Sequence, residues 1–319
     1  VAPALYQAGC RHFFVAHLAE AIELRPALAA DAAIYVLHGL HPGAEAECAA
    51  HGLVPVINSL LQLTAWRTLA RQSGRVLPAI LQVDTGMARL GLATDELERI
   101  ATDAGLLAGI ELRFVMSHLV SAEDQASPVN RMQLERFRAA LARLPAARAS
   151  LANSSGIFLG PDYHFDLVRP GAALYGVAPV AGEANPLRPV VRLQARVVQT
   201  RTIDAGTAVG YSHTWIARRR SRIATVAVGY ADGYLRSLSN RGDAHFEGMR
   251  LPIVGNVSMD TITIDVSDVP EGRLGEGSLI DLADPGHGVD DIARGAGTIG
   301  YEILTSLGNR YSRAYLGAS

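Results

Sequence analysis

The chain has 319 residues, 49% of them hydrophobic, which is enough to bury a sizeable core in one large domain and a second domain of ordinary size. A net charge of −2 gives no broad attraction to nucleic acid or to an anionic membrane, and no stretch is long and apolar enough to cross a bilayer. Because the N-terminus also lacks a signal-peptide pattern, we expect a globular protein of the cytoplasm that binds neither nucleic acid nor a membrane.

The first part of the chain, to about Gly176, alternates short apolar runs with helical patterns, which is typical of parallel βα units. The chain opens on a helical pattern, Val1–Gly9, and the clearest later helices are Leu60–Gln72 and Asn130–Leu144. Seven strands are predicted, at His12–His17, Ala33–Leu37, Val54–Asn58, Val76–Val83, Leu112–His118, Ala149–Asn153 and Phe165–Val168.

Polar side chains recur where these predicted strands end: His38, His41, Asn58, Asp84, His118, Asn153 and Arg169. In a (β/α)8 barrel the active site is built from the C-terminal ends of the strands, so this placement favours a barrel over an open sheet. A barrel needs eight strands. We therefore expect residues 1–176 to form a TIM-type barrel whose first strand lies upstream of Val1.

The pattern changes after a loop rich in Gly, Pro and Ala, Gly176–Pro189, which is typical of a linker. Short strands separated by Gly, Asp and Pro turns follow, at Val190–Arg201, Arg222–Val228, Arg250–Ile253, Thr261–Val266 and Ser278–Leu282. The predicted fold is therefore α/β, with a barrel in residues 1–176 and a mostly β domain in residues 177–319.

Two features of composition bear on chemistry. The cysteines Cys10 and Cys48 are too few for a disulfide framework and are not in metal-ligand spacing, so we expect reduced thiols and no metal site. The sequence contains no lysine, so all 29 basic residues are arginine. Four of these cluster in what we interpret as a solvated loop: Arg218, Arg219, Arg220 and Arg222.

Six short blocks in both predicted domains carry a more specific signal: DTGMARLG at 84–91, ANS at 152–154, LVRPGAALYG at 167–176, VGYSHTW at 209–215, VGYADGY at 228–234 and IVGNVSMD at 253–260. In this order they resemble the signature blocks of the alanine racemase family, and the resemblance covers essentially the whole chain. It implies a pyridoxal-phosphate enzyme, a homodimer with shared active sites, which interconverts L- and D-alanine to supply D-alanine for peptidoglycan.

The resemblance implies catalytic roles for three residues. Tyr211 matches the tyrosine that reaches the site from the partner subunit and removes the Cα proton on one face, opposite the cofactor lysine. A phenol has a pKa near ~10, so it needs cations or donors close by to act at neutral pH. His118 matches a histidine that contacts this tyrosine, and Arg89 matches an arginine that binds the substrate carboxylate. Taken alone, Tyr211 could instead cap a sheet edge and His118 could be a core residue.

The resemblance also assigns cofactor contacts. Arg169 matches the arginine that faces the pyridine nitrogen, which stays neutral because a guanidinium is not deprotonated in proteins. An ordinary pairing of this arginine with Asp166 or with the barrel wall is the alternative. Phosphate contacts are implied for Ser154, Gly171, Ala172 and Asn309, although many relatives have a tyrosine where this chain has Asn309.

The implied substrate contacts from the second domain are Met259, Asp260 and a pocket tyrosine, Tyr230, that keeps the substrate small. The shorter Asn309 raises the alternative of a serine or broad-specificity racemase. Gln82 stands seven positions before Arg89, where many relatives carry a carbamylated lysine, so a neutral amide or a bound anion must position the arginine here.

The absence of lysine raises a further alternative, a pyridoxal-phosphate-binding protein without turnover. Its usual form is a single barrel, so the β domain with Tyr211 argues against it. In the family the cofactor lysine lies at the end of the first barrel strand. We therefore expect that the 319 residues by themselves are not a competent racemase and that the lysine lies upstream of Val1.

Overall fold

The structure is a computed structural model that describes residues 1–317. The chain divides into two compact units, residues 1–170 and 171–317, each with its own hydrophobic core. The predicted domain boundary after residue 176 stays a prediction.

Within the described residues, the first unit contains a parallel sheet of six strands that neighbour one another in chain order. The strands are β1 (His12–Val15), β2 (Ala33–Val36), β3 (Val54–Ile57), β4 (Leu77–Gln82), β5 (Ile110–Met116) and β6 (Arg148–Ser150). The helices are α1 (Ala2–Gln7), α2 (Leu18–Leu24), α3 (Glu45–Ala50), α4 (Leu60–Ser73), α5 (Thr94–Thr102) and α6 (Pro128–Leu141). The first six predicted strands and the three predicted helices are confirmed within a few residues.

Helix α4 shows why such a segment is helical. The hydroxyl of Ser59 caps its first turn by accepting the backbone N–H of Gln62 at 3.3 Å, and Gly74 ends it with a φ of 62°, which glycine adopts without strain. The side chains that it buries recur at helical spacing, at Leu60, Leu63, Trp66 and Ala70. This stripe packs the helix against the sheet, as expected for a βα unit.

The sheet of the first unit is apolar on both faces. Neighbouring residues of one strand fall into different clusters: Ile34 and Val36 pack in the large core with the helices, whereas Tyr35 packs with Phe114 and four other buried residues. Side chains alternate across a strand, so the smaller cluster lies on the face opposite the helices. Two buried faces are typical of barrel strands.

The predicted seventh strand, Phe165–Val168, is wrong. These residues form no ladder, because Phe165 has a φ of 49°, in the left-handed region, and breaks the extended conformation. The segment still lies along β6. The backbone N–H of Asp166 donates to the Ala149 carbonyl at 3.0 Å, and the carboxylate of Asp166 takes the Ala149 N–H at 2.7 Å in place of a backbone acceptor.

The second unit is mostly β, as predicted. Its strands are β7 (Leu193–Ile203), β8 (Ala208–Val209), β9 (Trp215–Ile216), β10 (Ser221–Val226), β11 (Asp243–Phe246), β12 (Met249–Pro252), β13 (Ile262–Asp265) and β14 (Leu279–Ala283). Within the described residues they form an antiparallel six-stranded sheet in the order β12-β11-β14-β7-β10-β13 and a separate hairpin of β8 and β9. Two helices complete it, α7 (Val289–Ala296) and α8 (Gly300–Ser306).

The arginine cluster divides between a loop and a strand. Residues 218–220 are exposed in a bend, as predicted, but the prediction is wrong for Arg222. That residue lies in β10 and is half-buried, and its guanidinium donates to the carbonyls of Val266, at 3.0 Å, and Val269. The reason is that β10 pairs with β13, which brings Arg222 beside the carbonyls that follow β13.

Residues 1–317 include no helix with the length and apolar character that a membrane span requires. The same residues hold no group of three or more His, Cys, Asp or Glu side chains placed to bind a metal ion. Both cysteines are free thiols, and burial raises the pKa of Cys48 to about 12.

Candidate active site

A loop closed by hydrogen bonds to Asp84 follows β4. The carboxylate of Asp84 accepts three backbone N–H groups, from residues 86, 87 and 88, at 2.8, 2.9 and 3.0 Å. Although partial burial opposes it, these donors hold the pKa of Asp84 below its usual range. Ala88 has a φ of 54°, a turn that the Asp84 bonds support. The loop thereby presents Arg89 as an exposed cation directly after the turn.

Gln82 forms hydrogen bonds to the last residues of this loop. Its backbone carbonyl accepts the N–H of Leu92 at 2.8 Å, and its buried side-chain amide donates to the carbonyl of Leu90 at 3.2 Å. A Cβ at Gly91, which has a φ of 112°, would lie 2.8 Å from the Asp84 nitrogen, so only glycine fits there. The amide of Gln82 thus contacts the residue next to Arg89.

His118 lies just beyond β5 and is half-buried. Burial, and then the positive charges of Arg169 and Arg89, lower the pKa of His118 to about 4. The imidazole is therefore neutral at pH 7. Neighbouring segments carry three predicted site residues, because Arg169 donates to the carbonyl before His118, and the loop that presents Arg89 begins beside Thr85, whose hydroxyl lies 2.8 Å from that of Ser117. We call these three residues the strand-end cluster.

Arg169 is held by acceptors of the first unit. Its guanidinium donates to the Ser117 carbonyl at 2.6 Å, to the Leu151 carbonyl at 3.3 Å and to the Ser150 hydroxyl. Burial lowers the pKa of Arg169 to about 10, so the side chain stays charged at neutral pH. The alternative pairing with Asp166 is wrong, because that carboxylate binds the Ala149 N–H instead. The contacts of the guanidinium are those of the other alternative, an arginine held by the barrel wall.

The residues predicted to bind phosphate lie at turns. Ser154 is buried in the turn after β6, where the side chain of Asn153 accepts the Gly156 N–H at 2.9 Å. Gly171 precedes a short 3-10 helix that begins at Ala172, and a Cβ added at Gly171 would meet no atom within 4 Å. Ser154 belongs to the first unit, and Gly171 and Ala172 belong to the second.

Tyr211 is displayed on the surface of the second unit. It lies between β8 and β9, with 71% of its area exposed. Ser212 and His213, which follow it, both have left-handed φ values, of 58° and 48°, so the chain turns sharply here. The carbonyl of Tyr211 accepts the side-chain amide of Asn256 at 2.9 Å, which fixes the turn.

The predicted substrate residues of the second unit lie on two loops that pair. The backbone N–H of Tyr230 donates to the Ser258 carbonyl at 3.0 Å, and a Cβ at Gly229 would lie 2.3 Å from the Met259 oxygen. Tyr230 and Met259 are 43% and 54% exposed. We call four exposed residues of this unit the loop cluster: Tyr211, Tyr230, Met259 and Asp260.

Arg310 joins the two paired loops. Its guanidinium contacts the Asp260 carboxylate at 2.8 Å and that of the nearly buried Asp232 at 3.2 Å. The backbone N–H of Gly308 donates to the Asp232 carbonyl at 3.1 Å. The exposed Asn309 lies between these two contacts, and so beside the loop that carries Asp260.

Sequence reasoning missed several residues whose hydrogen bonds or ion pairs hold the segments that carry the two clusters: Thr85, Ser117, Gln133, Ser150, Asp232 and Arg310. Ser117 and Ser150 stand at strand ends beside predicted residues, so their position was a usable signal. Gln133 gave a weaker signal: it is a long polar side chain on the apolar face of a predicted helix.

Comparisons with known proteins identify the family. The family model for the alanine racemase N-terminal domain matches residues 1–179, and that for the C-terminal domain matches residues 190–315. The chain belongs to the alanine racemase family. It is 53% identical to an alanine racemase of Brucella abortus over 99% of this chain and 83% of that protein.

A second relative, a catabolic alanine racemase of Mesorhizobium japonicum, is 54% identical over 99% of this chain and 83% of its own length. Among solved structures, the alanine racemase of Bartonella henselae with covalently bound pyridoxal phosphate superimposes with a TM-score of 0.94, at 45% identity, covering 99% of this chain and 88% of that chain. The predicted family and the predicted fold, a barrel followed by a mostly β domain, are confirmed.

Proposed function

We propose that the protein is a pyridoxal-phosphate-dependent alanine racemase that interconverts L- and D-alanine with two bases. The observation that carries the proposal is the strand-end cluster, in which the Arg169 guanidinium binds the carbonyl just before His118 at 2.6 Å and the loop of Arg89 meets the same strand end through the Thr85 and Ser117 hydroxyls, 2.8 Å apart. Such a cluster suits a ligand that is anionic and also accepts hydrogen bonds. The names of the relatives supply the reaction.

The residues present fit pyridoxal phosphate. Arg169 forms no ion pair among residues 1–317, so its charge is open to a ligand that accepts hydrogen bonds, such as a pyridine nitrogen. Phosphate contacts from Ser154, Gly171, Ala172 and Asn309 enter the proposal only as what the resemblance to the family implies. When bound, the cofactor supplies an electron sink that makes the Cα proton removable. The amine that anchors it is not among these 319 residues, which contain no lysine.

We assign substrate binding and proton transfer to side chains of the protein itself. Arg89 binds the substrate carboxylate with two parallel hydrogen bonds, which orients the Cα–H bond. The hydroxyl oxygen of Tyr211 takes or returns the proton on one face, and the neutral His118 exchanges a hydrogen bond with that hydroxyl. As the resemblance implies, Tyr211 serves the active site of a partner subunit, so the active species is a homodimer.

Alanine is the proposed substrate because the relatives are alanine racemases and because Tyr230 matches, by resemblance, a pocket tyrosine that keeps the substrate small. We also propose that the protein acts in the cytoplasm and that its product, D-alanine, is used in peptidoglycan synthesis. Serine is the second candidate, favoured by one observation: Asn309 is a short, exposed side chain beside the Asp260 loop, where many relatives have tyrosine.

The test is turnover with L-alanine, L-serine and L-arginine by the holoenzyme, meaning the protein that includes the cofactor-anchoring amine these 319 residues lack. The products are separated by chiral chromatography, and light scattering gives the oligomeric state. We expect the largest kcat/KM for alanine, and a dimer. A larger value for serine would replace alanine with the second candidate, and no turnover of any amino acid would refute a racemase.

A further inference from the structure

Gln133 ties together the segments that follow β4 and β5. It lies on α6 and its side chain is fully buried, which is uncommon for glutamine. Its Oε1 accepts the backbone N–H of Val120 at 2.9 Å. Its Nε2 donates to the His118 carbonyl at 2.9 Å and to the Thr85 hydroxyl at 3.1 Å. One helical side chain thus bonds to both strand ends of the candidate site.

The hydrogen bonds beyond Gln133 have a single direction. The hydroxyls of Thr85 and Ser117 lie 2.8 Å apart, and the Ser117 hydroxyl donates to the Val83 carbonyl at 2.8 Å. A hydroxyl has one hydrogen, so Thr85 must donate to Ser117. The amide cannot be flipped, because Oε1 faces an N–H and Nε2 faces a carbonyl. The hydrogen bonds therefore form one series in which each group donates to the next. It runs from the Gln133 amide to the hydroxyls of Thr85 and Ser117 and ends at the Val83 carbonyl.

This series of hydrogen bonds contacts the segments that carry all three members of the strand-end cluster. The Ser117 carbonyl accepts the guanidinium of Arg169 at 2.6 Å, and His118 is the next residue. Thr85 directly follows Asp84, whose loop presents Arg89. We propose that Gln133 is a positioning residue, whose one-directional hydrogen bonds set the placement of His118, Arg169 and the Asp84 loop for the reaction. The proposal rests on the proposed function.

Gln133→Glu is a sharp test because it keeps the shape of the side chain. The carboxylate still accepts the Val120 N–H, but it has no hydrogen to donate to Thr85 or to the His118 carbonyl. Burial raises the pKa of a carboxyl group, so acidification protonates the introduced group and returns one donor. A positioning role therefore predicts a defect that is large at high pH and smaller at low pH.

The matched control is Asn130→Asp. Asn130 is a buried amide on the same helix, and its Nδ2 donates at 2.9 Å to the Asp124 carbonyl, away from both strand ends. The chemical change is the same, from a buried amide to a carboxyl group. A purely structural cost should appear in both variants, whereas an effect on the strand-end cluster should appear only in Gln133→Glu.

The experiment measures kcat/KM of the holoenzyme from about pH 9 to about pH 6, relative to wild type, and the dissociation constant of pyridoxal phosphate, at a temperature where circular dichroism shows every variant folded. For Gln133→Glu we expect kcat/KM to be about 100-fold lower at the high pH, the size of effect that misplacement causes. The ratio should recover as the pH falls, and cofactor binding should weaken with the same pH dependence.

Three outcomes would overturn the role of Gln133: a ratio that does not change with pH, equal losses in Asn130→Asp, or unchanged cofactor affinity. Failure of the proposed function looks different, because wild type itself would then not racemise alanine. In that case the pH dependence of cofactor binding still tests the placement of the cluster by Gln133.

Discussion

The strand-end cluster and the loop cluster hold their side chains in opposite ways. Arg169 and His118 are half-buried, and the guanidinium is fixed by three acceptors of the first unit. Tyr211 is 71% exposed, and the structure fixes its backbone through Asn256 while the ring projects into solvent. The first cluster is preorganised by the fold that carries it. The second has a fixed backbone and exposed side chains, of which Asp260 is held by an ion pair with Arg310 and the Tyr211 ring is largely in solvent.

The largest expected effect on either cluster is that of replacing Tyr211. If the loop cluster supplies a base for one face only, Tyr211→Phe in the holoenzyme should slow proton removal from one enantiomer by about 100-fold or more, the usual contribution of a general base. Primary deuterium isotope effects measured in both directions are the readout. Equal, modest losses in the two directions would contradict a catalytic Tyr211.

Arg169→Met tests how firmly the strand-end cluster is built. The substitution leaves the carbonyls of Ser117 and Leu151 and the Ser150 hydroxyl without their donor, so we expect the free energy of unfolding to fall by about 3 kcal/mol. Affinity for pyridoxal phosphate, measured by spectroscopic titration, should fall as well.

Arg148→Met is the matched control for that change. Arg148 begins β6 at the other end of the strand and packs over the Phe114 ring, with 4.3 Å between the guanidinium carbon and the ring centre. Its loss should leave cofactor affinity unchanged. Equal weakening in both variants would mean that the affinity reports the barrel as a whole and not the Arg169 contacts.

The same contrast explains what the sequence could predict. His118, Arg169 and the Asp84 loop were found because strand ends are readable from apolar periodicity, and the six blocks then matched a family. Phe165–Val168 was mispredicted because its composition suits a strand, whereas its end is decided by one left-handed φ at Phe165. Local composition does not encode that choice, which depends on how the Asp166 carboxylate binds β6.

Partners distant in the chain were beyond sequence reasoning. Gln133 is 48 residues from Thr85, and Arg310 is 50 residues from Asp260, so neither contact follows from local spacing. Helices α7 and α8 were also missed, because the turns of the β domain dominated the interpretation of that region. The roles of the individual site residues stay predictions.

The neutral His118 gives a smaller, pH-dependent effect. Its pKa falls from 6.5 to about 4 on folding, so between these values the unfolded chain binds more protons and stability is lost as the pH falls. A shift of this size corresponds to about 3 kcal/mol, and partial exposure reduces the expected loss between neutral pH and pH ~4 to about 2 kcal/mol.

His118→Gln removes this titration, so the variant should lose less stability than wild type over the same pH range, as measured by denaturant unfolding at each pH. Subtracting the stability of the variant from that of wild type at each pH removes the contribution of carboxylates that titrate in the same range. Parallel curves would show that His118 has the same proton affinity in the folded and the unfolded chain.

The smallest expected effect concerns Arg310, which contacts both Asp232 and Asp260. Because its side chain is 52% exposed, Arg310→Met should lower the free energy of unfolding by less than about 1 kcal/mol. Asp260 and the Met259 loop would nevertheless lose their tie, so KM for alanine should rise roughly fivefold, equivalent to about 1 kcal/mol, with kcat little changed.

Arg294→Met provides the comparison for that variant. Arg294 forms an exposed ion pair with Asp291 at 2.8 Å on α7, so its removal costs a surface salt bridge of the same kind without touching the loop cluster. If the loop cluster depends on backbone geometry alone, the two variants should have the same KM. A rise in KM confined to Arg310→Met would show that one exposed side chain also orders the exposed residues, which narrows the difference between the two clusters.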